Sequence, residues 1–261
     1  MIDSKSLRSY AWAYMLLIYL FLYAPIIVLM VYSFNDSPRS LLWQGFTLHW
    51  YQDLFKNLSL QGVALNSVLL GVCAATGATT LGTFIAVALY RYQFLGKRLL
   101  YGLIFILIVS PDLVTGISLL ILFSALELPL GFWTLLLAHM TFCVPFVVVM
   151  IYARLSGYDK NIFEAAKDLG ATEGIIFRSI LVPLLWPAIV SGWLLSFTLS
   201  LDDVIISFVV SGPSFDILPL KIFSMLRVGL NPEINALCTL LFCLTLVIVF
   251  GYQALTWKDK R

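Results

Sequence analysis

The chain has 261 residues, of which 61% are hydrophobic and 11% are charged, and its net charge is +2. Because soluble domains carry about 25% charged residues, this composition excludes an ordinary soluble protein and predicts one that crosses a membrane several times. The sequence contains neither a basic cluster of the kind that binds nucleic acid nor a Cys or His spacing typical of a metal site.

Six apolar stretches are long enough to cross a bilayer, which takes about 20 residues of helix. They are Tyr14–Tyr32, Val63–Ala88, Leu99–Leu126, Phe132–Ala153, Pro187–Val210 and Asn235–Thr256. We therefore predict an all-α membrane protein with six transmembrane helices and a single domain over residues 1–261. The first stretch follows Lys5 and Arg8, as in a secretory signal. It is too long for the apolar core of a signal and has no small-x-small cleavage site after it, so we expect a retained span.

Two of these stretches have internal features with a structural interpretation. The second stretch is rich in Gly and Ala, which predicts that its helix packs closely against another. The fourth contains His139, close to Pro145. A single His in an apolar helix is expected to be packed and hydrogen-bonded, and not to be a catalytic group or a metal ligand.

The Lys and Arg residues are divided unevenly between the two sides of the membrane. Twelve of the 16 fall on the side that holds both termini and residues 154–186, and four fall on the other side. Because cytoplasmic loops carry an excess of Lys and Arg, the first side is predicted to be cytoplasmic. The stretch 211–233 is then exterior, and we expect a short amphipathic helix in it around Leu220–Leu226.

The longest polar interval on the predicted cytoplasmic side lies between the fourth and fifth spans. It contains, in order, Glu164, Ala165, Ala166, Gly170, Ile180 and Pro183. We predict two short helices here, the first capped by Asn161 and Glu164 and ended by Gly170 in a left-handed conformation. Thr172 is expected to cap the second helix, which should stop before Pro183 because proline disrupts a helix interior.

Three acidic residues, Asp112, Asp202 and Asp203, lie in predicted spans, and no Lys or Arg shares those spans. A carboxylate at mid-bilayer costs at least about 2.5 kcal/mol, so such residues usually face a cavity or a partner and mark a pathway. The three therefore predict a site for a cation, in the outer half of the membrane. The alternative is structural, because nearby Ser and Thr hydroxyls can bind an Asp side chain.

Adjacent residues on a helix point about 100° apart, so Asp202 and Asp203 cannot both face one point. We expect one of them to face the path and the other to face a neighbouring helix or subunit. Trp193 and Phe197 lie one turn apart in the same span and could offer an aromatic surface to an ammonium group. Core packing is the alternative role for both rings.

The spacing from Glu164 to Pro183 resembles the Glu-Ala-Ala loop of ABC importer permeases, in which the loop docks into a cleft on a separate ATPase. One departure is Val182, where Leu is usual. Over nearly the whole chain, runs such as 88–92, 109–113 and 196–203 resemble the permeases of spermidine/putrescine ABC importers, most closely the shorter, C-type permeases.

The resemblance implies a type I importer fold in the bacterial inner membrane. It also implies a second homologous permease, two copies of an ATPase and a periplasmic polyamine-binding protein as partners. ATP and Mg²⁺ are then bound by the ATPase, and this chain is a non-catalytic transport subunit without a cofactor. Consistently, the sequence has no nucleotide-binding G-x-x-x-x-G-K-[ST], since its one Gly-Lys pair is followed by Arg98.

Three alternatives stay open on the residues alone. The chain could be a permease for another small cation or amine, or a carrier whose intramembrane acids move protons, although such carriers commonly show internal repeats and this sequence shows none. It could also be an intramembrane aspartyl protease that uses Asp112 and Asp203.

Overall fold

The computed structural model describes residues 4–37, 42–159, 161–228 and 232–258, apart from the side chains at 4–7, 9, 228, 244–245 and 248–258. Within this part of the chain the regular structure is helical, with one isolated bridge between Asn35 and Phe46. The helices are α1 (Ser4–Tyr32), α2 (His49–Lys56), α3 (Leu58–Arg91), α4 (Lys97–Val109), α5 (Asp112–Ala125), α6 (Phe132–Ser156), α7 (Asn161–Asp168), α8 (Glu173–Ile175), α9 (Val182–Asp202), α10 (Ile205–Val210), α11 (Leu218–Val228) and α12 (Pro232–Lys258). A π-helical turn, Ile176–Leu181, joins α8 to α9.

The chain forms two compact units. The first comprises Met1–Gln61 with Ile222–Arg261, and in it α1 and α2 both contact α12. The second comprises Gly62–Lys221 and is built around α6, which contacts α4, α5, α9 and α10. The second unit carries every residue that the sequence singled out as a functional candidate.

Two buried apolar clusters stabilise the second unit, and α6 contributes to both. In one cluster Val147, Ile151 and Leu155 of α6 pack with residues of α3, α7 and the start of α9. In the other, Leu135 and Ala138 of α6 pack with residues of α5 and α10. Burying a large apolar side chain is worth about 1.5–3 kcal/mol, so these clusters hold the helices that flank the candidate site.

Four helices in the described residues are long and apolar enough to cross a membrane, or five if α4 and α5 count as one broken span. The four are Tyr10–Tyr32, Leu58–Arg91, Phe132–Ser156 and Glu173–Asp202. They overlap the first, second, fourth and fifth predicted spans. The sixth predicted span lies within α12, and about half of its side chains lie outside the described ones. The predicted amphipathic helix around Leu220–Leu226 is confirmed as α11.

The third predicted span, Leu99–Leu126, is not one straight helix, and it is broken at Pro111, a residue that is expected to interrupt the backbone hydrogen bonds of a helix. The helices α4 and α5 are bent by 118° at the residues between them. Ser110 and Pro111 are both extended, with ψ angles of 133° and 138°. A residue before proline is disfavoured in the helical region and proline has no N–H, so the pair ends one helix and starts another.

The fifth predicted span, Pro187–Val210, was wrong at both ends. The helix begins at Glu173 and runs to Asp202, and a separate helix, α10, follows. Asp203 is extended, with φ −71° and ψ 123°. Its carboxylate accepts hydrogen bonds from the backbone of α10, and this offers the chain an alternative to continuing the helix.

Candidate functional site

The predicted ATPase-docking loop, residues 154–186, is called the docking segment below. Its first short helix, α7, is amphipathic. In α7, Phe163 and Ala166 are buried in the core of the second unit, and Glu164 and Ala165 are exposed. Residues three apart share a helix face, so one face is fixed to the protein and the Glu-Ala pair remains on the surface.

Gly170 ends α7 in the left-handed conformation, as the sequence predicted, with φ +81°. The N–H of Ala171 donates to the carbonyl of Ala166 over 3.0 Å, and the N–H of Gly170 donates to the carbonyl of Lys167 over 2.8 Å. These two bonds form a Schellman motif, in which the residue after the helix is usually glycine because it adopts positive φ at low cost.

The predicted cap at the start of α7 was wrong. The helix begins at Asn161 itself, whose backbone N–H and side-chain amide donate to the carboxylate of Asp159 over 3.0 and 3.3 Å. Asp159 is a stronger cap than Asn161 would be, because a carboxylate also interacts favourably with the positive end of the helix dipole. Thr172 does occupy the N-cap position of α8, but its side chain makes no cap hydrogen bond.

The second helix does not stop before Pro183, so that prediction was also wrong. It passes through the π-helical turn Ile176–Leu181 and continues as α9. Pro183 is the second residue after this turn and lies inside the continuous helix Glu173–Asp202, so the helix accommodates a proline that has no N–H to donate. Ile180 is half-buried against the core, and Pro183 is exposed.

Several apolar side chains of the docking segment face outward. Leu169 is 89% exposed, Ile175 is 52% exposed and Ile162 is 39% exposed. Together with Ala165 they give the outer side of a charged segment an apolar surface, which is typical of a site that a partner covers.

A charged cluster that the sequence did not reveal joins α3 to this segment. Arg91, the last residue of α3, pairs with Glu173 at 3.0 Å, and Lys167 pairs with the same carboxylate at 2.8 Å. The hydroxyl of Tyr92 donates to Glu173 over 2.9 Å. Partial burial raises the pKa of that hydroxyl, and the hydrogen bond raises it further. Arg91 and Glu173 are 82 positions apart along the chain, so no local sequence pattern predicts the cluster.

The three intramembrane carboxylates have different surroundings. Asp112 is the first residue of α5, at the sharp bend, and is half-buried. Asp202 ends α9 and is exposed, whereas the side chain of Asp203 is only 6% exposed. In the described part of the chain, no Lys or Arg lies within 4.0 Å of any of the three.

Asp203 is bound to the start of α10. Its two oxygens accept from the backbone N–H groups of Ile206, at 3.2 Å, and Ser207, at 2.8 Å, and from the Ser207 hydroxyl at 2.7 Å. The expectation that one Asp of the pair faces a neighbouring helix is therefore confirmed for Asp203, and Asp202 is left at the surface of the protein.

His139 extends this network across to α6, and it is packed and hydrogen-bonded as expected. Its Nδ1 lies 2.6 Å from the hydroxyl of Ser200, and its Nε2 lies 2.9 Å from the hydroxyl of Ser207. Because the Ser207 proton goes to Asp203, that hydroxyl accepts from Nε2–H, and Nδ1 accepts from Ser200. A neutral imidazole has one donor and one acceptor and satisfies both bonds.

The aromatic pair on α9 lies against α3. The rings of Trp193 and Phe197 are stacked, with centroids 5.3 Å apart and an angle of 8° between their planes. The indole N–H donates to the hydroxyl of Thr76 over 3.1 Å. A Cβ on Gly71 would lie 3.1 Å from the Phe197 ring. Both rings are half-buried, so one side of the stack packs and part of its surface remains free.

The candidate residues thus form two separate groups. One is the buried hydrogen-bond network around Asp203, and the other is the docking segment. The helix that carries Asp112 packs on α10, since a Cβ on Gly116 would lie 3.4 Å from the Cα of Ile206. Among the described residues no group of three or more His, Cys, Asp or Glu side chains could hold a metal ion.

The chain resembles known transport proteins along most of its length. It is 53% identical to the spermidine/putrescine transport system permease protein PotC of Escherichia coli (strain K12), covering 95% of this chain and 93% of that protein. It is 51% identical to the protein of the same name from Haemophilus influenzae, covering 95% and 97%. It is 46% identical to the putrescine transport system permease protein PotI of E. coli, covering 87% and 83%.

Solved structures share the fold at low sequence identity. A chain of a bacterial ABC transporter involved in the import of the acidic polysaccharide alginate superposes with a TM-score of 0.73, at 16% identity and with 98% of each chain covered. A chain of an amino acid ABC transporter superposes with a TM-score of 0.58, also at 16% identity, covering 83% of this chain and all of the other.

Residues 78–261 match the family model described as the binding-protein-dependent transport system inner membrane component. The matched residues include α6, the docking segment and the three carboxylates. The identity to the permeases described above extends over 95% of the chain and supports the same family. The chain is therefore a member of the family of inner membrane components of binding-protein-dependent transport systems.

Proposed function

We propose that this chain is the permease subunit of an ATP-driven importer that moves the polyamines spermidine and putrescine from the periplasm to the cytoplasm. The observation that carries the proposal is the 53% identity, over 95% of the chain, to a permease named for these two substrates. Uptake of labelled spermidine by cells that lack their own polyamine permease, with and without this chain, tests it. Unlabelled putrescine should compete for uptake, whereas competition only by another cation or amine would favour a different substrate.

The proposed topology has six transmembrane helices in one domain of the inner membrane, with both termini and residues 154–186 in the cytoplasm. A second homologous permease, two copies of an ATPase and a periplasmic polyamine-binding protein complete the transporter, and ATP and Mg²⁺ bind to the ATPase. Co-purification of an ATPase with the chain supports this assembly. Transport by the isolated subunit would instead support a proton-coupled carrier.

The proposed contact with the ATPase is the exposed side of the docking segment, formed by Glu164, Ala165, Gly170 and Pro183. Of the other predicted docking residues, Ala166 faces the core and Ile180 is half-buried, so these two support the surface from behind. The support for this contact is the amphipathic packing of α7. One face of the helix is buried in the core, and Glu164 and its apolar neighbours remain exposed on the surface. We expect Glu164→Lys to uncouple ATP hydrolysis from uptake. Glu127→Lys, at another exposed acidic residue, is the control and should be neutral. Normal uptake and normal assembly in Glu164→Lys would contradict docking at this site.

The proposed path for the polyamine includes Asp112, Asp202 and the aromatic stack of Trp193 and Phe197, with Asp203 close by. Spermidine and putrescine are flexible polycations, and carboxylates and aromatic faces are the groups that attract ammonium ions. Its support is that no Lys or Arg of the described residues neutralises these carboxylates.

Asn substitutions separate the roles within the acidic pair. Asp202→Asn should lower uptake while leaving the amount of folded protein unchanged, because the side chain is exposed. Asp203→Asn should lower both, because an amide supplies one oxygen where the carboxylate supplies two to the start of α10. Full uptake in Asp202→Asn and Asp112→Asn would remove both residues from the path.

A further inference from the structure

Arg91 occupies an unusual position at the cytoplasmic end of the proposed topology. It is the last residue of α3, and its side chain is only 8% exposed. Its guanidinium pairs with Glu173 of α8 at 3.0 Å and lies 5.1 Å from the ring of Phe163 in α7. A single side chain therefore contacts both short helices of the docking segment, on either side of the turn at Gly170.

The chemistry of these contacts makes the connection specific for arginine. A guanidinium is always charged, binds carboxylates through a planar set of donors and stacks on aromatic rings. In this site it makes both kinds of contact at once, with one face near Phe163 and an Nη2 atom on Glu173. The guanidinium side of the pair is shielded from solvent, whereas the Glu173 side chain is 47% exposed and is screened as a surface carboxylate is.

The middle of α3 reaches the proposed path. Thr76 and Gly71, on the same helix, contact Trp193 and Phe197 of α9. From Thr76 to Arg91 is 15 residues, or roughly 22 Å of helix. The docking segment is thus linked to the aromatic stack in two ways, directly through the continuous helix α8 to α9 and indirectly through Arg91 and α3.

We propose that Arg91 is a positioning residue that fastens α3 to the docking segment, so that α3 and α9 move together when the ATPase displaces the segment. This inference depends on the proposed function, because it assumes that the ATPase acts on the segment. Without Arg91 the segment would still move α9, but only the apolar core cluster and the contacts with the aromatic stack would carry α3 with it. ATP hydrolysis would then continue with less transport per ATP.

The test uses the complete transporter in membrane vesicles and measures spermidine uptake and ATP hydrolysis in parallel. We expect Arg91→Glu to lower the number of molecules imported per ATP by about tenfold, a magnitude typical of coupling between sites. The charge swap Arg91→Glu with Glu173→Arg should restore most of this ratio, because it re-forms the ion pair in reverse. Lys167 is 53% exposed and can turn away from the new Arg.

Arg98→Glu is the matched control, because Arg98 is an exposed arginine of the next helix. An Arg91→Glu variant that imports as efficiently as Arg98→Glu would overturn the inference. A variant that fails to assemble and is not rescued by the swap would also overturn it, since Arg91 would then only stabilise the fold. Glu164→Lys tests the proposed function separately: if that variant is uncoupled and Arg91→Glu is normal, only this inference fails.

Discussion

Replacing His139 with Leu would remove two hydrogen bonds from the buried network that joins α6 to both sides of the break at Asp203. The side chain is 1% exposed, and its ring bonds Ser200 and Ser207, which are themselves buried. Leucine fills a similar volume, so the perturbation is the loss of hydrogen bonds and not a cavity. After the change Ser207 still donates to Asp203, whereas the hydroxyl of Ser200 loses its acceptor.

The expected loss of stability is about 1–3 kcal/mol. Hydrogen bonds between membrane helices are worth about 0.6 kcal/mol each on average, and a buried polar group without a partner costs about 1–3 kcal/mol. A serine in a helix can also bond to the carbonyl four residues earlier, which for Ser200 keeps the value in the lower part of this range.

Thermal unfolding of the purified protein in mild detergent measures this loss. His49→Leu is the matched control, because His49 is the other histidine of the sequence and forms an exposed pair with Asp53 at 2.9 Å. Such a pair on a helix surface is worth less than about 0.5 kcal/mol. We expect a fall of several degrees in the Tm for His139→Leu and almost none for His49→Leu.

Two further variants divide the network. The amide of Asn can replace the Nδ1 contact with Ser200, and the longer Gln can replace the Nε2 contact with Ser207. Each should therefore recover part of the stability that Leu loses. If Asn, Gln and Leu at His139 all unfold at the wild-type temperature, the hydrogen bonds do not contribute and the reasoning is refuted.

Two glycine predictions follow from the backbone. A Cβ on Gly82 would lie 2.6 Å from Cγ1 of Val147, and overpacking of this kind costs about 1–3 kcal/mol, so Gly82→Ala should lower the Tm in detergent. Gly102→Ala, with nothing within 4 Å, should not, and equal melting temperatures would contradict the close contact of α3 with α6. Gly170→Ala should cost about 1–2 kcal/mol because of its φ of +81°. Gly174→Ala, in open space and without positive φ, should be neutral or stabilising, and the same unfolding measurement compares the pair.

Features that depend on local chemistry could be predicted from the sequence. Long apolar runs indicated four of the observed spans because a helix in lipid must satisfy its own backbone and so needs about 20 apolar residues. Gly170 was predicted because few other residues adopt positive φ readily. The packing of His139 was expected because a single His in an apolar helix needs hydrogen-bond partners. The divergence of Asp202 from Asp203 was expected from helix geometry, although the structure achieves it by placing Asp203 in extended backbone after α9.

Features that depend on competition between local and tertiary contacts could not be predicted. Pro111 and Pro183 are both exposed prolines next to apolar runs, yet the chain bends by 118° at the first and continues as a helix through the second. The difference lies in what the neighbouring backbone does, an extended Ser110 in one case and the π-helical turn Ile176–Leu181 in the other. The Arg91–Glu173 pair was missed for a similar reason, since only the folded chain brings the two residues together.

The π-helical turn also determines how the docking end of the chain is oriented about the axis of α9. Its hydrogen bonds span five residues instead of four, so it accommodates one residue more than an α-helix of the same rise. Were this turn to tighten into α-helical bonding, α8 would rotate by about 100° and advance by about 1.5 Å relative to α9, like a screw. Deleting one residue from the turn would remove the extra residue and keep the faces of α8 and α9 in their present relative orientation. Adding an α-helical residue would instead rotate α8 by about 100° and turn the proposed docking surface away from its present direction.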